Sequence, residues 1–239
     1  MTRSRRTARV GWVVDVQNDF MLPEGRLYVR DLFNETDQGA RLARPAIERT
    51  VRWMRDHCEV MVFTGDWHGY GDREIDPETP DARAGTYPPH CMGLSPNDNE
   101  REGAQLLSSI APGADVLVLP RDASDDDARR LPRVAVHERR PVFVQKSEFS
   151  VFEGNRASAV FVEALLAALG DPTEFVVCGV ATDVCVKYAV EGLLDRGQQV
   201  RIVPDATWGL GLLSPAETFG AWQQRGAALT PVDLLAPQG

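Results

Sequence analysis

The pattern that most restricts the fold is a series of short, continuous apolar runs separated by longer amphipathic stretches. Residues 10–15 (Val-Gly-Trp-Val-Val-Asp), 59–64, 142–144, 175–180 and 200–203 each read as a strand. They lack the in–out alternation of a half-solvated sheet, so both of their faces must be covered. Between them, residues 39–57, 157–169, 183–196 and 216–225 place apolar side chains at helical spacing, and residues 228–232 close the series as a further strand. Buried strands alternating with helices predict an α/β fold, a three-layer α-β-α sandwich around a mostly parallel central sheet. With 239 residues and no internal repeat, one domain over residues 1–239 is expected.

Two segments interrupt the pattern. Residues 66–99 are rich in Gly, Pro, Asp and His, and a loop that long in a compact domain is expected to be functional. Residues 112–140 contain a short apolar run (116–119) and the polar stretch 121–130. They read as a surface insertion, a small hairpin or a subunit contact, and a homo-oligomer is expected. The acid run Asp125-Asp126-Asp127 reads as a solvated face.

Charge removes several function classes. A formal net charge of −9 argues against nucleic acid or an anionic membrane as partner, because both are bound through basic patches. No apolar stretch approaches the roughly 18 residues of a spanning helix. The arginine-rich start, residues 1–9, is followed by no signal-peptide h-region or cleavage site but runs straight into the strand at Val10, so it reads as a solvated tail. Cys58, Cys91, Cys178 and Cys185 have neither disulfide-framework nor zinc-ribbon spacing, so a reduced, cytoplasmic protein is expected.

Parallel sheets collect ligands at the carboxyl ends of their strands. Here those ends deliver Asp15, then Asp66 and His68, then Lys146, then the turn before Cys185. Lys146 is conspicuous: only it and Lys187 are lysines among 26 basic residues. A compact ammonium fits beside a reacting atom where a guanidinium fork does not. Lys187, two positions after Cys185, reads as a solvated helix residue. Cys185 falls in the first turn of a helix, capped by Thr182 or Asp183, where a thiolate is favoured and free N–H groups can hold an oxyanion. A small core residue is the alternative reading, and the one adopted for Cys178 and Cys58. Asp15 can accept a thiol proton or cap a turn, and Asp19 suits the capping role better. Asp66 and His68, two apart in extended chain, point the same way. With His90 they make a set of two histidines and one carboxylate suited to Zn²⁺, Mn²⁺ or Fe²⁺, with Glu74 and Glu78 as possible extra ligands. His57 and His137 read as surface residues.

Together these residues resemble the isochorismatase-like cysteine hydrolases, and within them the nicotinamidase/pyrazinamidase family. Asp15-Val-Gln-Asn-Asp-Phe20 is similar to the family's first motif, Lys146 with Ser150 and Phe152 to its lysine motif, and Gly179-Val-Ala-Thr-Asp-Val-Cys185 to its nucleophile motif. Asp66-Trp-His68 and Pro88-Pro-His90-Cys91 are similar to the metal motif of nicotinamidases. The resemblance implies an isochorismatase-like hydrolase fold and a catalytic triad of Asp15, Lys146 and Cys185. It also implies an oxyanion hole from the N–H groups of Ala181 and Cys185, a cis Val180–Ala181 peptide, and a divalent metal, zinc first, on Asp66, His68 and His90. Phe20 and Tyr87 would bind the ring of the substrate, Tyr87 standing where many relatives have tryptophan. The implied reaction is hydrolysis of nicotinamide to nicotinate and ammonia in NAD salvage. The nearest alternative keeps the triad and acts on another small amide or ureide, such as a carbamoyl amino acid or a biuret-like compound. A non-haem iron oxygenase built on the histidine–carboxylate set would leave Asp15, Lys146 and Cys185 unexplained.

Overall fold

The computed structural model describes residues 7–170 and 172–235. In chain order it contains β1 (Ala8–Val14), α1 (Asn18–Met21), α2 (Arg44–His57), β2 (Val60–Asp66), α3 (Asp98–Gly103), β3 (Leu117–Leu119), α4 (Asp125–Glu138) and β4 (Val142–Lys146). Then follow α5 (Val151–Gly154), α6 (Ser158–Leu169), β5 (Thr173–Val180), α7 (Cys185–Asp195), β6 (Gln199–Trp208), α8 (Pro215–Gln224) and β7 (Ala228–Leu229). The arginine-rich tail expected at residues 1–9 falls outside the described residues as far as residue 6, and Arg9 is already part of β1.

The seven strands form one sheet in the order β3-β4-β2-β1-β5-β6-β7, and every pairing is parallel. The chain steps from β1 through α2 to β2 in one direction and from β5 through α7 to β6 in the other. Right-handed crossovers therefore put α2 and α7 on opposite faces. This explains the unbroken apolar strands: every residue of β2 is buried, and Trp12, Phe63, Phe161, Phe175 and Trp222 are among the largest fully enclosed side chains. The reversal of direction at β1 opens a crevice at the carboxyl ends of β2, β1 and β5.

Residues 112–140, expected to be a surface insertion or hairpin, do something different. They supply edge strand β3, which pairs in parallel with β4, and the crossover helix α4, which packs on α6. The polar run hid this helix, as did Pro132 inside it. Yet Ser124 caps it by accepting the Asp127 N–H, the three aspartates occupy its first turn, and Ala128, Leu131 and Ala135 make its buried stripe. The acid run is a solvated helix face, paired with Arg129 and Arg130. No described helix is long and apolar enough to cross a membrane.

The turn that delivers Cys185 depends on Gly179. Its φ is +126°, and a Cβ there would lie 2.0 Å from the Val14 carbonyl oxygen of neighbouring β1. Gly179→Ala is expected to cost about 2–4 kcal/mol, through a disallowed backbone conformation and a clash with a central strand. Denaturant unfolding checks this, and an unchanged midpoint would contradict it.

Candidate active site

Four buried ionisable groups meet over the carboxyl ends of the strands. Asp15 leaves β1 with φ +51°, its N–H on the Thr64 carbonyl and its Oδ1 accepting the Thr64 hydroxyl at 2.6 Å. Lys146 ends β4 in register with Asp66 at the end of β2. Its Nζ lies 2.9 Å from Asp15 Oδ2, bonds to Asp66 Oδ1, and stands 3.7 Å from Cys185 Sγ. Cys185 is the first residue of α7, following a turn in which the Val180–Ala181 peptide is cis. Gln17 braces the two acidic strand ends. Its side-chain carbonyl accepts the Asp66 N–H, and its amide donates to the carbonyls of Asp66 and Ala104.

Burial works against every charge here, and the neighbours decide which survive. For Lys146, Asp15 and Asp66 outweigh burial and hold its pKa well above the ordinary lysine value. Asp66, also opposed by burial, is held well below the carboxylate range, first by Lys146 and then by the neighbouring imidazoles of His68 and His90. Burial pushes Asp15 up, and the pull of Lys146 does not cancel it because Asp66 adds repulsion. Burial also pushes the Cys185 thiol well up, against Lys146 and with Asp15 and Asp66. The expected depression of its pKa at a helix N-terminus is therefore overturned. The half charge of a helix end is outweighed by loss of water and by several nearby carboxylates. Cys185 is therefore a thiol beside a carboxylate of raised basicity.

Asp66 faces two ways. Its Oδ2 lies 3.7 Å from His68 Nε2 and 3.8 Å from His90 Nε2. His90 Nδ1 is 2.7 Å from the Pro88 carbonyl and His68 Nδ1 is 3.3 Å from Asp72, so in both rings Nδ1 carries the proton and Nε2 presents a lone pair. His68 Nε2 is fully buried without a hydrogen-bond partner, and the three ligand atoms lie within 4.8 Å of one another. That geometry fits a small divalent cation. Glu74 and Glu78 stand outside this set: Glu78 is exposed, and buried Glu74 turns Oε1 to the Phe149 N–H at 2.6 Å. A second convergence, of Asp15, Asp66 and Cys185, already has its cation in Lys146.

A narrow cavity opens onto Cys185, Asp66 and His90. Cys185, Ala181, Asp66 and His90 form its polar wall, and Phe20, Tyr87 and Phe149 are aromatic parts of its lining. Its narrow shape and mostly apolar, aromatic lining suit a small, flat molecule.

The isochorismatase domain profile matches residues 120–233. The nicotinamidase of Escherichia coli strain K12 is 25% identical over 232 residues, covering 90% of this chain and 97% of the relative. The L. infantum protein PnC1, solved with nicotinate, superposes with a TM-score of 0.66 at 20% identity, covering 97% of this chain and 96% of its own. The pyrazinamidase of Pyrococcus horikoshii, solved with zinc, gives 0.61 at 23% identity, covering 93% and 98%. The N-carbamoylsarcosine amidase of Thermoplasma acidophilum gives 0.58 at 19% identity, covering 98% and 100%. The chain is similar to the isochorismatase-like hydrolases, with the domain profile matching residues 120–233 and the nicotinamidase likeness running along nearly the whole chain. It is an amide hydrolase of the kind that includes the nicotinamidases.

Of the residues singled out in the sequence for the triad, the metal set and the ring pocket, Phe20, Asp66, Tyr87, His90, Ala181 and Cys185 line this cavity, and Asp15, Lys146 and His68 stand behind its wall against Asp66 or Cys185. The pocket also contains Leu27, Val29, Phe149 and Leu210, which sequence reasoning passed over. Phe149 lies between the residues of the lysine motif, but Phe152 of that motif turns away, its ring beneath the Arg196 guanidinium at 3.8 Å. Leu210 comes from a distant loop and has no local signal. It is held there by Asp183, expected as a helix cap, whose carboxylate accepts the N–H groups of Leu210 and Leu212 at 2.8 and 2.7 Å. Asp19 holds backbone as expected, accepting the N–H groups of Arg26 and Cys91 and so fixing the residue after His90. Lys187 pairs with Glu191 on the helix surface at 2.9 Å.

Glu74 gives the site a measurable pH signature. Burial and then Asp66 push its carboxyl up to about 8. A raised pKa means that the folded protein binds the proton more tightly than the unfolded chain. Stability from this group is complete below its unfolded value near 4.5 and is lost as pH rises towards 8. Glu74→Gln should flatten that decline between about pH 5 and 8 in chelator-treated protein. Parallel curves for the two proteins would refute the assignment.

Proposed function

We propose that this hydrolase converts nicotinamide to nicotinate and ammonia through a thioester on Cys185, in the cytoplasm. The observation that carries the reading is a single cavity lined both by Cys185, which is backed by Lys146 and Asp15, and by Asp66 and His90 of a histidine–carboxylate set. The similarity to the E. coli nicotinamidase and to the nicotinate-bound L. infantum fold supports the substrate. Four free thiols suit a reducing compartment.

The thiol and the carboxylate oxygens of Asp15 and Asp66 lie within 4.8 Å of one another, with Lys146 between them. Asp15 takes the Cys185 proton as sulfur bonds to the carboxamide carbon, and Lys146 stabilises the emerging thiolate. The N–H groups of Ala181 and Cys185 hold the oxyanion. Asp15 then gives its proton to the departing nitrogen, which leaves as ammonia. For the second half, Asp15 takes a proton from water, the hydroxide attacks the thioester carbon, and sulfur departs and is reprotonated. Phe20 and Tyr87 confine the pyridine ring, with Phe149 added by the structure. Asp66, His68 and His90 would hold a divalent metal, zinc by analogy with the P. horikoshii protein, which when bound supplies a Lewis-acidic anchor for the ring nitrogen.

Cys185→Ala should lower ammonia release on the order of 10⁴-fold or more while leaving nicotinamide binding measurable. Substantial residual turnover would exclude the thioester. Lys146→Arg should cost roughly 10²-fold or more, because a fork cannot replace a point charge enclosed by two carboxylates and a sulfur. Near-wild-type rates would refute that role.

Substrate choice is tested by ammonia release from nicotinamide, pyrazinamide and carbamoyl amino acids, before and after chelation. Preference for the pyridine and pyrazine amides, lost on chelation and restored by Zn²⁺ or Mn²⁺, is expected. Preference for a carbamoyl compound, indifferent to chelator, would move the enzyme towards the carbamoylsarcosine amidase.

A further inference from the structure

Asp72 and Arg121 take no part in the chemistry above, yet they are built into its edge. Asp72 lies in the long loop after β2, four residues beyond His68. Its Oδ2 accepts the His68 Nδ1–H at 3.3 Å and the Gly69 N–H at 2.9 Å. Arg121 comes from the connection between β3 and α4. Its fork closes on both oxygens of Asp72, at 2.6 and 2.8 Å, and also donates to the Trp67 carbonyl at 2.8 Å.

We propose that Asp72 and Arg121 are positioning residues that fix His68 for a divalent cation. The inference rests on the reading that Asp66, His68 and His90 hold a metal. An imidazole can present either nitrogen, and the partner of one decides the role of the other. With Asp72 accepting from Nδ1, the buried Nε2 is left as a lone pair directed towards Asp66 and His90. A carboxylate behind the ring also raises the basicity of that lone pair.

Asp72 is a dependable acceptor because Arg121 holds both of its oxygens in a bidentate pair. Arg121 also fixes the peptide between the two ligands on this strand end. The Trp67 carbonyl goes to Arg121, the Trp67 N–H to the Lys146 carbonyl, and the His68 N–H to the Cys91 carbonyl beside His90. Edge strand β3 and helix α4 thereby acquire a second task beyond completing the sheet, which is to place one guanidinium against the cation site.

The test is competition between purified protein and a chromophoric chelator for Zn²⁺, with thermal unfolding of each chelated protein alongside. Wild type should bind one equivalent, and His68→Ala should abolish tight binding. Asp72→Asn should weaken Zn²⁺ binding roughly 10–100-fold, with a chelated midpoint close to that of wild type. Arg121→Ala should weaken it about 10-fold, and Arg121→Lys should recover only part of the loss, because the charge returns without the fork. A loss of affinity without a matching loss of metal-free stability separates positioning from simple scaffolding. Wild-type affinity in all three variants, with His68→Ala defective, would overturn this inference and leave the metal reading intact. Affinity losses that only track a falling chelated midpoint would likewise overturn it. Absence of Zn²⁺ binding by wild type would overturn both.

Discussion

The interaction on which the site depends is one ammonium enclosed by two carboxylates. Lys146 is almost wholly buried between Asp15 and Asp66 and also reaches Cys185. Any one of these charges alone would be expelled or neutralised in such surroundings. Together they divide the work. Lys146 and Asp66 keep their charges, whereas Asp15, receiving less compensation, is left with raised basicity beside a neutral thiol. A candidate base and a candidate nucleophile thus emerge from unequal sharing of one cation.

Asp66 links the two halves of the site, with one oxygen on Lys146 and the other facing His68 and His90. The sheet makes that possible. In-register pairing of β2 with β4 puts Asp66 beside Lys146, and Gln17 ties the end of β1 to the end of β2. The long loop after β2 folds back so that Cys91 and Asp19 fix His90 against the same carboxylate. Parallel topology supplies the rim, and the loops supply its far wall.

Much of this was legible in the chain. Strands without alternation required two covered faces, which required a parallel sheet, whose carboxyl ends then selected Asp15, Asp66, His68, Lys146 and Cys185. Where reading failed, a local signal pointed the wrong way or did not exist. A polar run interrupted by proline concealed α4, although its serine cap and acidic first turn were present. Asp183 looked like a cap for α7 and instead binds the backbone of a loop nearly thirty residues away. A helix N-terminus suggested a depressed thiol pKa, but desolvation by the whole fold outweighs the field of one helix end.

The sequence alone determined which chemistry the protein carries, because side-chain identity at strand ends is a local property and the strand pattern is a periodicity. Tertiary structure decided how charge is shared among those groups and which apolar residues line the cavity beside them. It also decided that an arginine from the edge of the sheet stands behind a histidine at its centre. These are contacts between segments far apart in the chain, fixed by burial and packing, and no spacing in the sequence encodes them.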